Sequence, residues 1–134
     1  MSKISDIEGI GPAYATKLEA AGVKTVEGLL ETGASKKGRQ GLAEATGIDE
    51  SRILTWVNMA DLFRINGVAG QFAELLHAAG VDTVKELATR NAENLHAKIV
   101  EVNEAKNLAN AVPSASRLQT FIDEAKSLDK VVTH

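Results

Sequence analysis

Apolar residues recur along this chain at helical spacing, in short runs closed by glycine, proline or a small polar residue. A brief helix over residues 3–7 is followed by a turn at 8–11, and Pro12 opens the next helix, where its missing N–H costs nothing. In that helix Tyr14, Ala15, Leu18 and Ala21 share one face, and Gly22 is placed to close it in a left-handed conformation. Thr25 heads a third helix ending near Gly33, and Ser35 heads a fourth that runs to Thr46 and stops at Gly47. Asp49 caps a longer fifth helix with the stripe Ile53, Trp56, Val57 and Ala60, continuing through Leu62 toward Ile65.

The same plan then recurs. A helix over residues 69–79 presents Phe72, Ala73, Leu76 and Ala79 and is closed by Gly80. Thr83 with Glu86 reads as a capping box, and Asn91 caps a helix through about Glu101. A further short helix is expected over 104–111, Pro113 breaks the chain, and Ser114 caps a last helix to about Leu128. No segment alternates as a strand does, so the expected class is all-α.

The recurrence is literal. At a constant offset of 58, residues 7–29 and 65–87 agree at eleven of twenty-three positions. Unrelated segments of ordinary composition share roughly one or two. The matched residues are those a fold needs, among them Gly9/Gly67, Ala15/Ala73, Leu18/Leu76, Gly22/Gly80 and Thr25/Thr83. The closing helices also match, at offset 65, through Ser51/Ser116, Arg52/Arg117, Thr55/Thr120 and Ala60/Ala125, with Trp56 facing Phe121. A duplicated helical unit follows, residues 1–62 and 63–128, with a tail over 129–134 expected to fray. Trp56 and Phe121 are expected in the core, each anchoring its own unit or both meeting between units.

Composition narrows the classes. The chain has 134 residues, 44% apolar and 25% charged, with no cysteine. Disulfides and thiolate metal sites are therefore excluded, and no run reaches the eighteen apolar residues of a membrane span. No charged-then-apolar leader opens the chain, and the expectation is a cytoplasmic protein. The net charge is −3, and residues 1–62 carry seven Lys/Arg against nine Asp/Glu, so neither half is a basic module. His77 and His96 lack metal-ligand spacing, and no catalytic triad, nucleotide loop or paired carboxylate stands out. The expectation is a non-enzymatic protein without cofactor or metal.

Ile7-Glu8-Gly9-Ile10-Gly11-Pro12, followed by Ala15 and Leu18, resembles the helix-hairpin-helix motif. The next stretch, AAGVKTVEGLL, resembles the connector of paired helix-hairpin-helix domains in RecA-type recombinases and the C-terminal domain of the RNA polymerase α subunit. Residues 42–57 resemble the second, more degenerate hairpin of such a pair. As a whole, about residues 4–128, the chain is similar to an uncharacterised family of tandem helix-hairpin-helix proteins. The resemblance implies tandem hairpin units packed as one helical body and a sequence-independent grip on the DNA backbone.

Carried onto this chain, the phosphate contacts are the backbones of Gly9, Ile10, Gly11 and Ala13, with Thr16 and Lys17 one turn along. Amides at a helix start suit an anion, and phosphate contacts position a protein without reading bases. The same glycines also serve if the turn merely packs two helices. The basic cluster Lys36, Lys37 and Arg39 either touches phosphate or is a solvated linker. In the second copy Ala69 replaces Gly11 and Leu75 replaces Lys17, which reads as packing rather than binding. Leu75 widens an apolar face for the other unit or for a partner. The two functional expectations are DNA binding, and a protein-interaction module that kept the scaffold alone.

Overall fold

The computed structural model describes residues 2–134, and the protein is all-α. Among the described residues no strand forms, and the isolated bridge between Lys3 and Thr25 is the extent of β pairing. The chain divides into two compact units, one running to Asp61 and regaining Val131–His134, the other Leu62–Lys130.

The first unit opens with a 3-10 helix, Ile4–Asp6, whose start is stitched to the segment before the second α-helix. Ile4 N–H donates to the Lys24 carbonyl at 3.3 Å, and Val26 N–H to the Ser2 carbonyl at 3.0 Å. The chain then turns sharply, because Ile10 N–H returns to the Ile7 carbonyl at 3.2 Å with Gly9 at φ +95°. That sign at the third turn position is accessible to glycine at little cost. Ile7 and Ile10 are buried on either side, so the turn is pinned to the core by its apolar flanks.

Helix α1, Pro12–Ala20, buries Ala15 and Leu18 and ends in a Schellman pair: Val23 N–H to Leu18, and Gly22 N–H to Glu19. Helix α2, Val26–Gly33, is capped by the Thr25 hydroxyl, and α3, Lys36–Thr46, by the Ser35 hydroxyl, each accepting the amide of the third helical residue, Gly28 or Gly38. Helix α4, Glu50–Leu62, crosses close to the end of α2. A Cβ added to Gly33 would stand 2.5 Å from Val57 Cγ2, and one added to Gly38 would strike the Thr32 carbonyl oxygen.

The second unit repeats this route. Val68 N–H returns to the Ile65 carbonyl at 3.1 Å with Gly67 at φ +90°, and Ile65 and Val68 are buried. Helix α5, Gly70–Ala78, ends in the same Schellman pair, Val81 to Leu76 and Gly80 to His77. Helix α6, Val84–Leu87, is a single turn beneath the Thr83 cap. Only half of the expected capping box forms: Thr83 accepts the Glu86 amide, whereas the Glu86 carboxylate pairs with Arg90 at 2.9 Å.

Two expectations fail here for identifiable reasons. No separate helix covers 104–111; instead α7 runs unbroken over Ala92–Lys106, taking in residues 104–106, and stops at Asn107, φ +51°. The Asn103 amide explains the stop, since its side chain both donates to the Ala109 carbonyl and accepts the Ala109 N–H. These bonds satisfy a backbone that would otherwise continue as helix. Helix α8, Ala115–Ser127, then follows its Ser114 cap.

The tail, expected to fray, is tied down at its end. Val132 is 2% exposed, and Thr133 N–H donates to the Ala34 carbonyl at 2.8 Å. The physical reason is Arg39, whose guanidinium needs acceptors and takes the Thr133 carbonyl at 2.7 Å.

Candidate functional site

Each turn glycine is roofed by the closing helix of its own unit. In the first unit the indole Nε1 of Trp56 lies 3.3 Å from where a Cβ at Gly9 would stand. Trp56 also meets Tyr14 edge-on, ring centroids 5.1 Å apart. In the second unit Phe121 stands against Gly67, at 3.4 Å from the corresponding position, and beside Phe72 at 6.4 Å. Each aromatic therefore anchors its own unit.

A cation completes each cluster. Arg52 lies 5.3 Å over the Tyr14 ring and donates a hydrogen bond to the Tyr14 hydroxyl. Arg117, its equivalent, lies 5.4 Å over Phe72 and 5.5 Å over Phe121, with Nη2 3.1 Å from the Gly67 Cβ position. Both arginines are exposed, so stacking orients the guanidinium while leaving donors toward solvent. Neither was singled out as a site residue from the sequence. The signal was present in the Arg52/Arg117 match, but nothing local says that a residue some forty positions downstream lies over the turn.

Of the residues expected to contact phosphate, Gly9, Gly11, Ala13, Thr16 and Lys17 are exposed together along the first turn and α1. Ile10 contributes backbone only, its side chain being buried. Helix α1 begins at Pro12 with Gly11 in the cap position and no side-chain cap, so Ala13 carries its first amide, and the Thr16 hydroxyl is spent on the Pro12 carbonyl at 2.9 Å. Gly11 itself has an ordinary φ of −82°, and a Cβ there would meet nothing within 4 Å. The fold does not require glycine at that position.

The basic cluster separates. Lys36 and Lys37 are exposed at the start of α3, but Arg39 is 2% exposed and turned inward. Its Nη1 donates to the Gly33 and Ala34 carbonyls at 2.8 and 3.1 Å, which makes it a cross-link rather than a surface cation. Burial lowers its pKa, against a smaller opposing pull from Glu50. In the second unit Leu75, where the first has Lys17, is 1% exposed and presents no apolar surface to a partner.

The two turns differ in one polar detail. In the second, the Asn66 amide is held by Glu124, with both carboxylate oxygens at 3.2 Å. At offset 65 the residue matching Glu124 is Met59, so the Glu8 amide of the first turn has no such partner among the described residues. Around the first turn lies an open hollow of about 400 Å³ lined by Glu8, Gly9, Asp49, Ser51, Arg52, Thr55 and Trp56. Its lining carries two carboxylates, Glu8 and Asp49, against the one cation Arg52, and the Asp49 carboxylate accepts the Ser51 hydroxyl.

Fold and turns define a small all-α protein made of a duplicated glycine-turn helical unit. The chain matches the family described as Domain of unknown function (DUF4332) over residues 8–128, and belongs to it. No curated protein and no solved structure matches it. No helix among the described residues is long and apolar enough to cross a membrane.

Proposed function

We propose that this protein binds nucleic acid through the phosphate backbone, without sequence preference, using the first turn as a helix-hairpin-helix contact. The observation that carries the reading is the contrast between the turns. The second has an internal carboxylate on its amide, while the equivalent first-turn amide is open beside an exposed, uncapped helix start. A phosphate placed there meets the Glu8 amide and the Ala13 amide at the helix start, Lys17 along α1, and the stacked Arg52. Gly11 supports the reading, because a glycine that the fold does not need permits close approach of a ligand backbone. Lys36 and Lys37 extend the positive surface, whereas Arg39 is withdrawn from the set.

A salt titration of binding to duplex DNA tests this. Affinity falls linearly in log salt with a slope of about −0.9 per phosphate contacted. Lys17→Glu and Arg52→Glu each weaken binding and flatten that slope by about one contact. No binding at low salt, or binding indifferent to both substitutions, ends the proposal. The carboxylates of Glu8 and Asp49 in the same hollow favour a second reading, a module that docks a basic protein segment. That reading predicts no DNA binding at any salt concentration.

A further inference from the structure

We propose a second ligand site in the first unit: the hollow formed by the starts of α3 and α4 and the closing segment binds a phosphomonoester dianion. It has a volume of about 420 Å³ and is lined by Lys36, Arg39, Glu50, Ser51, Leu54 and His134.

Arg39 is the reason. Its guanidinium is almost completely removed from water, yet its acceptors are the neutral carbonyls of Gly33, Ala34 and Thr133. Among the described residues no carboxylate lies within ion-pairing distance of it. A buried cation is costly without a counter-charge, and Glu50 acts on it only from farther off. The open side of this side chain is the hollow, where the Lys36 ammonium stands exposed.

The chemistry of the lining selects the ligand. Among the lining side chains, the two cations Lys36 and Arg39 stand against the carboxylate of Glu50. A phosphomonoester carries close to two negative charges above pH 7 and matches a guanidinium with two oxygens. Leu54 supplies an apolar wall, and the volume exceeds that of the phosphate group alone, leaving room for an organic substituent. This site is separate from the turn; the two hollows share only Ser51 in their linings.

Phenyl phosphate, added to the whole protein at pH 8 and constant ionic strength, is the probe, with backbone amide shifts as the readout. Saturable shifts are expected at Lys36, Arg39 and Ser51, weakened at least tenfold by Lys36→Glu and unchanged by Lys17→Glu. Lys36 is exposed, so its substitution leaves the fold intact. Two oligonucleotides, with and without a 5′-phosphate, identify the source of the group. A tenfold preference for the phosphorylated strand at the same amides assigns it to a nucleic-acid end, and equal binding assigns it to a free small molecule. Shifts that do not saturate, or that survive Lys36→Glu unchanged, overturn the proposal. Such a failure alongside Lys17-dependent DNA binding leaves the reading of the first turn standing.

Discussion

Glu124 holds both carboxylate oxygens 3.2 Å from the backbone nitrogen of Asn66, so the second glycine turn is closed by an anion from its own last helix. In the first turn Met59 stands in the matching place, and among the described residues no carboxylate accepts the Glu8 amide. Two copies of one backbone turn thus differ in whether their amide is already occupied.

Glu124→Ala should free the Asn66 amide at a stability cost of about 1 kcal/mol, modest because both groups are partly solvated. Urea unfolding gives the cost, and amide hydrogen exchange at Asn66 should quicken. Unchanged exchange at Asn66 would mean that the carboxylate does not hold it in solution.

Gly9→Ala and Gly67→Ala should each destabilise by about 1–2 kcal/mol, since both positions have φ near +90° and face a packed aromatic residue. Gly11→Ala should cost less, up to about 1 kcal/mol, because its backbone is unstrained and only the preference of a helix cap for glycine over alanine is lost. The same Gly11→Ala protein should bind DNA less well. Thermal unfolding beside a binding titration separates the two effects, and a large stability loss at Gly11 would contradict the open backbone seen there.

Within the first unit, Gly33→Ala and Gly41→Ala should have opposite signs. A Cβ at Gly33 meets Val57 at 2.5 Å, and such overpacking costs about 1–3 kcal/mol. Gly41 lies exposed inside α3 with nothing within 4 Å, so alanine should stabilise by up to about 1 kcal/mol through helix propensity. Calorimetry of the two variants checks the pair.

Arg39→Met should lower stability by about 2–4 kcal/mol, because the Gly33, Ala34 and Thr133 carbonyls lose the guanidinium hydrogen bonds together. It should also release the closing segment, exposing Val132 to proteolysis. Deleting residues 131–134 should produce a smaller loss, since Arg39 then keeps its bonds to Gly33 and Ala34. Equal losses would place the stability in the tail rather than in the guanidinium.

Much of the local structure was legible in the chain. Pro12 at a helix start, the Thr25, Ser35, Asn91 and Ser114 caps and the closing Gly22 and Gly80 all act through neighbours within a few residues. Their effects depend on sequence spacing alone. The failures lie where a side chain chose between partners. Glu86 had the Thr83 cap box in reach and took Arg90 instead. Asn103, which the expected elements left in the break between two helices, lies inside α7, takes the Ala109 backbone and so decides where α7 ends.

The candidate site was legible by half. Gly9, Gly11 and Lys17 announced themselves as a turn with a nearby cation, and they are exposed together. Arg39 looked like one more surface charge in a basic run, because spacing cannot say which of three cations in a helix turn faces the interior.

What the sequence determined by itself was the repeated helical unit, its turns and its caps, since periodicity and backbone conformation are set by residues near one another. Only the tertiary structure decided that Arg52 and Arg117 stand over the turns, that Glu124 closes the second, and that Arg39 is buried against the returning tail. Those outcomes depend on segments distant in the chain meeting in one place, and there burial and competition among hydrogen-bond partners select the contact.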